Sequence, residues 1–189
     1  APKTLIDHYD QLFHRGWDIE RSERLARQIN LGIVPNGTHL PPRNDSVEPW
    51  AEIDDATKRV AVRLQAAYAA MLDHADQHLA RLIDHLTASD QLHNTVIMVL
   101  SDNGASQEGG PLGFVNAMGP YNGLPESMES KFDRIDDIGG PDTHSNFPWG
   151  WSMAANTPLR RYKQNTHGGG VRDPLVIHWP AQITNAGLR

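Results

Sequence analysis

Asp102 and Asn103 stand side by side where the apolar run 96–100 ends and Gly104 opens a turn. Asp102 offers one or two hard anionic oxygens and Asn103 a neutral carbonyl oxygen, the ligand types that suit calcium or magnesium. In an open parallel sheet, ligands gather at the carboxyl ends of the strands, so a carboxylate–amide pair at a strand end is a candidate metal site. The plain alternative is an Asp-Asn-Gly turn that only reverses the chain. His74 and His78 have the i, i+4 spacing that can chelate a transition metal. No glutamate follows His74 in the His-Glu-x-x-His manner, and with ten histidines in the chain this spacing reads as an ordinary helix face.

Several elements must position these groups. Residues 96–100 are apolar without a charge, which predicts a central strand covered on both faces. Before it, Leu64, Tyr68, Met71, Leu72, Ala75, Leu79, Leu82, Ile83 and Leu86 recur at three- and four-residue steps. They predict one long helix from about Asp54 to Leu86, with Arg63 among the residues lying off the apolar stripe. A second helix is expected from about Asp18, as N-cap, to Asn30, closed by Gly32. Residues 35–49 hold four prolines and Asn36-Gly37, a surface connection. A second apolar strand is expected at 175–179, and helix followed by buried strand suggests parallel βαβ construction. The Gly-, Pro-, Asn- and Ser-rich stretch 105–155 is too long for an idle loop and reads as a partly ordered cover over a cleft.

Bulk properties exclude several function classes. The 189 residues suffice for one domain with a real core, and 39% hydrophobic with 21% charged residues is ordinary for a soluble globular protein. A net charge of -6 argues against nucleic acid as a partner. With no cysteine, disulfides, thiolate zinc sites and a cysteine nucleophile are excluded within these residues. No apolar run approaches the roughly 20 residues that span a bilayer, and the N-terminus has no signal-peptide pattern, so no membrane partner is expected. The start at Ala1-Pro2 without methionine suggests that something precedes it. Nothing selects a compartment or an oligomeric state.

Ser101-Asp102-Asn103-Gly104 is followed, after the insertion, by the basic stretch Arg160-Arg161-Tyr162-Lys163, then Gly168-Gly169-Gly170, Val171-Arg172-Asp173-Pro174, an apolar strand and Trp179-Pro180. This order and the spacing around Lys163 resemble the type I sulfatase (arylsulfatase) family. Gly16-Trp17-Asp18-Ile19-Glu20-Arg21, Leu31-Gly32-Ile33-Val34-Pro35 and Trp50 resemble its bacterial members, so the likeness covers nearly the whole chain. It implies an α/β fold with a mostly parallel sheet flanked by helices, the alkaline-phosphatase-like sandwich, of which residues 1–189 are a middle-to-late part. It further implies hydrolysis of small-molecule sulfate monoesters, calcium (with magnesium the second choice) on Asp102 and Asn103, and Lys163 as a contact to the sulfate.

The sequence departs from the family at several places, and the early acidic metal ligands and the Lys and His residues that the family places before this region are also missing. Gly168 stands where the family has glutamate, which puts the local loop geometry in question, and His167 has no counterpart with a role. The family's nucleophile, a formylglycine made from the first residue of Cys/Ser-x-Pro-x-Arg, has no source here. Asn156-Thr157-Pro158-Leu159-Arg160 has the Pro and Arg but begins with Asn, a coincidence of spacing. The expected parent is therefore a sulfuric ester hydrolase, and this chain alone is expected to be inactive. The alternatives are a phosphatase or phosphodiesterase of the same superfamily, or a non-catalytic calcium-binding module. Arg172 is expected to pair locally with Asp173, and His144 is a weak candidate for substrate contact.

Overall fold

The computed structural model describes residues 1–187. Its organising element is a helix of 34 residues, Asp55–Ala88, the third in chain order (α3), preceded by α1 (Lys3–Asp10) and α2 (Trp17–Asn30). Asp54 caps α3, its Oδ1 accepting from the Thr57 backbone N–H at 2.9 Å and its Oδ2 from the Thr57 hydroxyl at 2.6 Å. That satisfies one of the donors every helix start leaves unpaired.

The N-terminal half of α3 is the centre of the core. Val60, Ala61, Val62, Leu64, Ala66, Ala67 and Ala70 are buried, whereas Met71, Leu72 and Leu82 are half exposed. Burial therefore depends on position along the helix more than on one continuous stripe. Arg63 corrects the sequence reading: it is only 2% exposed. Its guanidinium donates to Asp7 of α1 at 2.8 Å, and this acid neutralises a charge that burial would otherwise make costly.

Aromatic rings close the core on the α2 side. Trp17, Trp50 and Trp151 meet with centroids 4.7 to 5.9 Å apart, and the buried Trp151 donates its indole N–H to the Ala61 carbonyl at 3.0 Å. Placing Trp17 in this cluster starts α2 at Trp17 with Gly16 as its cap, earlier than Asp18 as cap implies. Asp18 sits in the first turn, where a carboxylate suits the helix dipole, and accepts from the Trp50 backbone N–H at 2.9 Å.

The strands differ most from expectation. β1 (Ile97–Leu100) and β2 (Leu175–His178) pair antiparallel, Ile97 opposite His178 and Leu100 opposite Leu175. Among the described residues they form a two-stranded sheet, not a parallel one. Neither is covered on both faces: Met98 is 61% and Leu175 57% exposed. A parallel pair needs a crossover that carries the chain back to the opposite end of its neighbour. Here Ser101 leaves and Pro174 enters at the same end, and the intervening segment closes on itself there.

That segment is largely ordered. Its helices are α4 (Met118–Tyr121), α5 (Met128–Asp133), α6 (Trp149–Ala155) and α7 (Gly168–Val171). Phe114, Val115, Ala117, Phe147, Trp151 and Met153 belong to its buried residues. The Glu126 carboxylate accepts from the backbone N–H groups of Val115 and Asn116 at 2.7 and 2.9 Å, and buried Lys131 donates to the Gly113 carbonyl at 2.7 Å. No helix among the described residues is long and apolar enough to cross a membrane.

Candidate functional site

The end of β1 delivers Ser101-Asp102-Asn103-Gly104 into a tight loop. The Ser101 hydroxyl donates to the Asn103 carbonyl at 2.8 Å, and the Asn103 amide nitrogen contacts Asp102 Oδ1. The two side chains thus converge on one point. A half-turn of the amide exchanges nitrogen for oxygen at nearly the same place, setting two oxygens beside each other.

Gly104 shows why no side chain follows. A Cβ there would lie 1.7 Å from the Gly169 carbonyl oxygen, so the backbones of the two loops pass in direct contact. Gly104 N–H faces the Gly170 carbonyl at 3.4 Å, and one residue on, Lys163 N–H donates to the Ala105 carbonyl at 3.0 Å. Asn156 completes the joint. Its Oδ1 accepts from Ala105 N–H at 3.1 Å, while its amide donates to the carbonyls of Gly169 at 2.7 Å and Arg161 at 3.0 Å.

These ties bring Lys163 to the strand end. Its ammonium donates to Glu108 Oε1 at 2.9 Å. The Glu108 hydrogen bond above all, then the charges of Glu108 and Asp102, hold the Lys163 ammonium protonated above the usual lysine range. Glu108 is held below the usual carboxylate range, first by the Lys163 hydrogen bond. Asp102 itself lies open to solvent and Asn103 is partly covered. The Lys163 backbone is thus tied to the loop that follows Asp102 and Asn103, and the Asp102 charge acts on its ammonium.

The fit to a divalent cation is partial. Calcium takes 6–8 oxygen ligands, and this chain supplies those of Asp102 and Asn103. Among the described residues no group of three or more His, Cys, Asp or Glu is placed to hold a metal. His74 and His78 meet at Nε2 to Nε2 3.2 Å, but Arg81 occupies His78 Nδ1 at 2.9 Å. Arginine only donates, so His78 Nδ1 accepts and its Nε2–H points at His74; the pair satisfies itself.

Other sequence candidates fall away from the site. His167 is exposed at the start of α7, and His144 is exposed in a backbone bridge with Asn116. Among the described residues Arg172 and Asp173 form no ion pair. Gly168 has ordinary contacts at 3.4 Å or more, whereas a Cβ at Gly169 or Gly170 would meet backbone at 2.0 Å. The loop therefore has room for a side chain at Gly168. Two residues escaped the sequence reading. Glu108 looks like any acid in a Gly-rich loop, and Asn156 was weighed only as a failed nucleophile position. An Asn directly before Thr-Pro in an insertion was the available signal for a loop clamp.

The family model described as Sulfatase matches residues 7–186. An uncharacterized sulfatase of Schizosaccharomyces pombe is 30% identical over 187 residues, 97% of this chain and 32% of the relative. An arylsulfatase of Klebsiella aerogenes is 26% identical over 188 residues, 99% of this chain and 38% of the relative. An uncharacterized sulfatase of Escherichia coli is 31% identical over 167 residues, covering 87% of this chain and 21% of the relative. The chain spans about a third of the length of the first two.

Proposed function

The chain belongs to the sulfatase family, and from that premise we propose that the whole protein hydrolyses small-molecule sulfate monoesters, with Asp102, Asn103 and Lys163 on the rim of one anion pocket. The observation that supports the reading is the Lys163 N–H to Ala105 carbonyl bond, which ties the backbone of the basic segment to the loop that follows Asp102. A sulfate ester undergoing sulfuryl transfer needs an in-line nucleophile, positive charge on its non-bridging oxygens and an acid for the leaving oxygen. Lys163 supplies positive charge as a compact ammonium able to meet one oxygen of a tetrahedral anion.

Asp102 and Asn103 would hold a divalent cation, calcium in the first instance, together with oxygens from residues outside this sequence. When bound, that ion supplies Lewis-acid stabilisation of charge on the ester oxygens. The nucleophile, a formylglycine hydrate in this reading, comes from outside residues 1–189, so the chain by itself is inactive. The larger α/β sandwich of alkaline-phosphatase type belongs to the same proposal, with residues 105–155 as part of the pocket wall.

Turnover of an aryl sulfate and the matching aryl phosphate by the whole protein tests the reading. A higher kcat/KM for the sulfate is expected. A strong preference for phosphate transfers the site to phosphoryl chemistry and removes the sulfatase assignment.

A further inference from the structure

Lys163 does not reach freely into solvent. Its ammonium and the Glu108 carboxylate stand 2.9 Å apart, with side chains 33% and 32% exposed. Glu108 is itself restrained from several directions. Its second oxygen lies 3.4 Å from the Ser106 hydroxyl, and the Tyr121 hydroxyl is a near neighbour of the carboxylate.

Those restraints lead back to the core. Ser106 Oγ accepts from the Asn146 amide at 2.7 Å and faces the Glu108 backbone N–H at 3.3 Å. The Ser106 carbonyl accepts from the Ser152 hydroxyl at 2.6 Å, and Ser152 is fully buried on α6. A continuous run of contacts therefore connects a rigid helix to the tip of a side chain with four rotatable bonds.

The charges say what Glu108 can do. An ionised carboxylate repels the anionic sulfate group of a monoester, so Glu108 has no favourable direct contact to offer the ester. Its effect on substrate must pass through the lysine it holds. We propose, resting on the sulfatase reading above, that Glu108 is the positioning residue for Lys163. It holds the ammonium on the loop that follows Asp102, with Ser106 restraining the carboxylate.

Steady-state hydrolysis of 4-nitrophenyl sulfate by the whole protein tests this, using Glu108→Ala, Glu108→Gln, Glu108→Asp, Lys163→Ala and the double variant Glu108→Ala with Lys163→Ala. Misplacing a reacting group by about 1 Å can cost on the order of 100-fold. Glu108→Ala is expected to lower kcat roughly 10- to 100-fold while KM stays level or falls, because a negative charge leaves the pocket. Glu108→Gln keeps an acceptor oxygen at the same reach and is expected to retain kcat within about 5-fold of wild type. Glu108→Asp keeps the charge but retracts it, and is expected to lose more than Glu108→Gln. In the Lys163→Ala background, removing Glu108 is expected to change nothing further.

Glu108→Ala at wild-type kcat overturns the inference. So does an equal fold-loss in the presence and absence of Lys163. Should Glu108→Ala fail to fold by circular dichroism, the order of Glu108→Gln above Glu108→Asp carries the test, and the reverse order overturns it. A wild-type protein that turns over no sulfate ester overturns the sulfatase reading and this inference together, a result distinct from the others.

Discussion

Lys163 donates its backbone N–H to the carbonyl of Ala105 at 3.0 Å, and this bond places the basic segment against the loop that carries Asp102. The antiparallel register makes it possible, because Leu100 and Leu175 face each other and both connecting segments leave from one end of the ribbon. Convergence is thus a property of the backbone before any side chain is considered.

Asp102 is exposed and bonds to its neighbour Asn103, so it has little structural work to do. In the whole protein Asp102→Ala is expected to reduce aryl sulfate turnover by about 100- to 1000-fold, the scale of removing a principal electrostatic group. The melting temperature without added metal should change little. Retained turnover would remove Asp102 from the pocket.

Asn156 joins three backbone groups on two loops. Asn156→Ala leaves them without their partner, and each buried orphan costs about 1–3 kcal/mol, reduced where water enters. A loss of about 2 kcal/mol in urea denaturation is expected. A change below about 0.5 kcal/mol, the range of inert surface substitutions, would show that the loops hold together without the clamp.

Glycine substitutions should separate sharply within one loop pair. Gly104→Ala forces a methyl to within 1.7 Å of backbone oxygen and should disrupt both the loop and turnover. Gly168→Ala meets only ordinary contacts and should leave the melting temperature nearly unchanged. Equal effects at the two positions would contradict the close loop approach.

The Glu108–Lys163 pair has a stated pH dependence. Glu108 titrates below 4.5 in the fold, so its contribution is present above about pH 4.5 and disappears as pH falls through the lower folded value. Lys163 titrates above 10.5, so its contribution is complete below that pH and disappears as pH rises through the higher folded value. For a pair about a third exposed, solvent screening limits this to about 0.5 kcal/mol. Wild type and Glu108→Gln should therefore differ in stability at neutral pH and converge in acid; a gap that persists below the folded pKa of Glu108 would assign the difference to something other than its charge.

Calorimetry on the isolated chain addresses the metal. Two ligand residues leave most calcium positions unfilled, so affinity no tighter than about 0.1 mM is expected. Micromolar binding by a folded monomer would favour a self-sufficient calcium module.

The sequence was legible where its signal is local. The 3.6-residue periodicity located α3, and the strand end at Asp102 was marked by the apolar run before it. Burial of Arg63 was hidden because its partner Asp7 lies on α1, a helix whose packing no periodicity within α3 reveals. The strands were visible as apolar runs, but no hairpin turn connects them, so nothing in their own residues fixes pairing direction. Glu108 and Asn156 act through backbone proximity created by the fold, which residue type alone does not announce.

The most direct test of the shared pocket is the position of inorganic sulfate in crystals of the whole protein grown with calcium. The account expects one sulfate oxygen within hydrogen-bonding distance of Lys163 Nζ and the cation on Asp102 and Asn103 at the same pocket. Sulfate bound elsewhere, with the cation absent from Asp102, would contradict it.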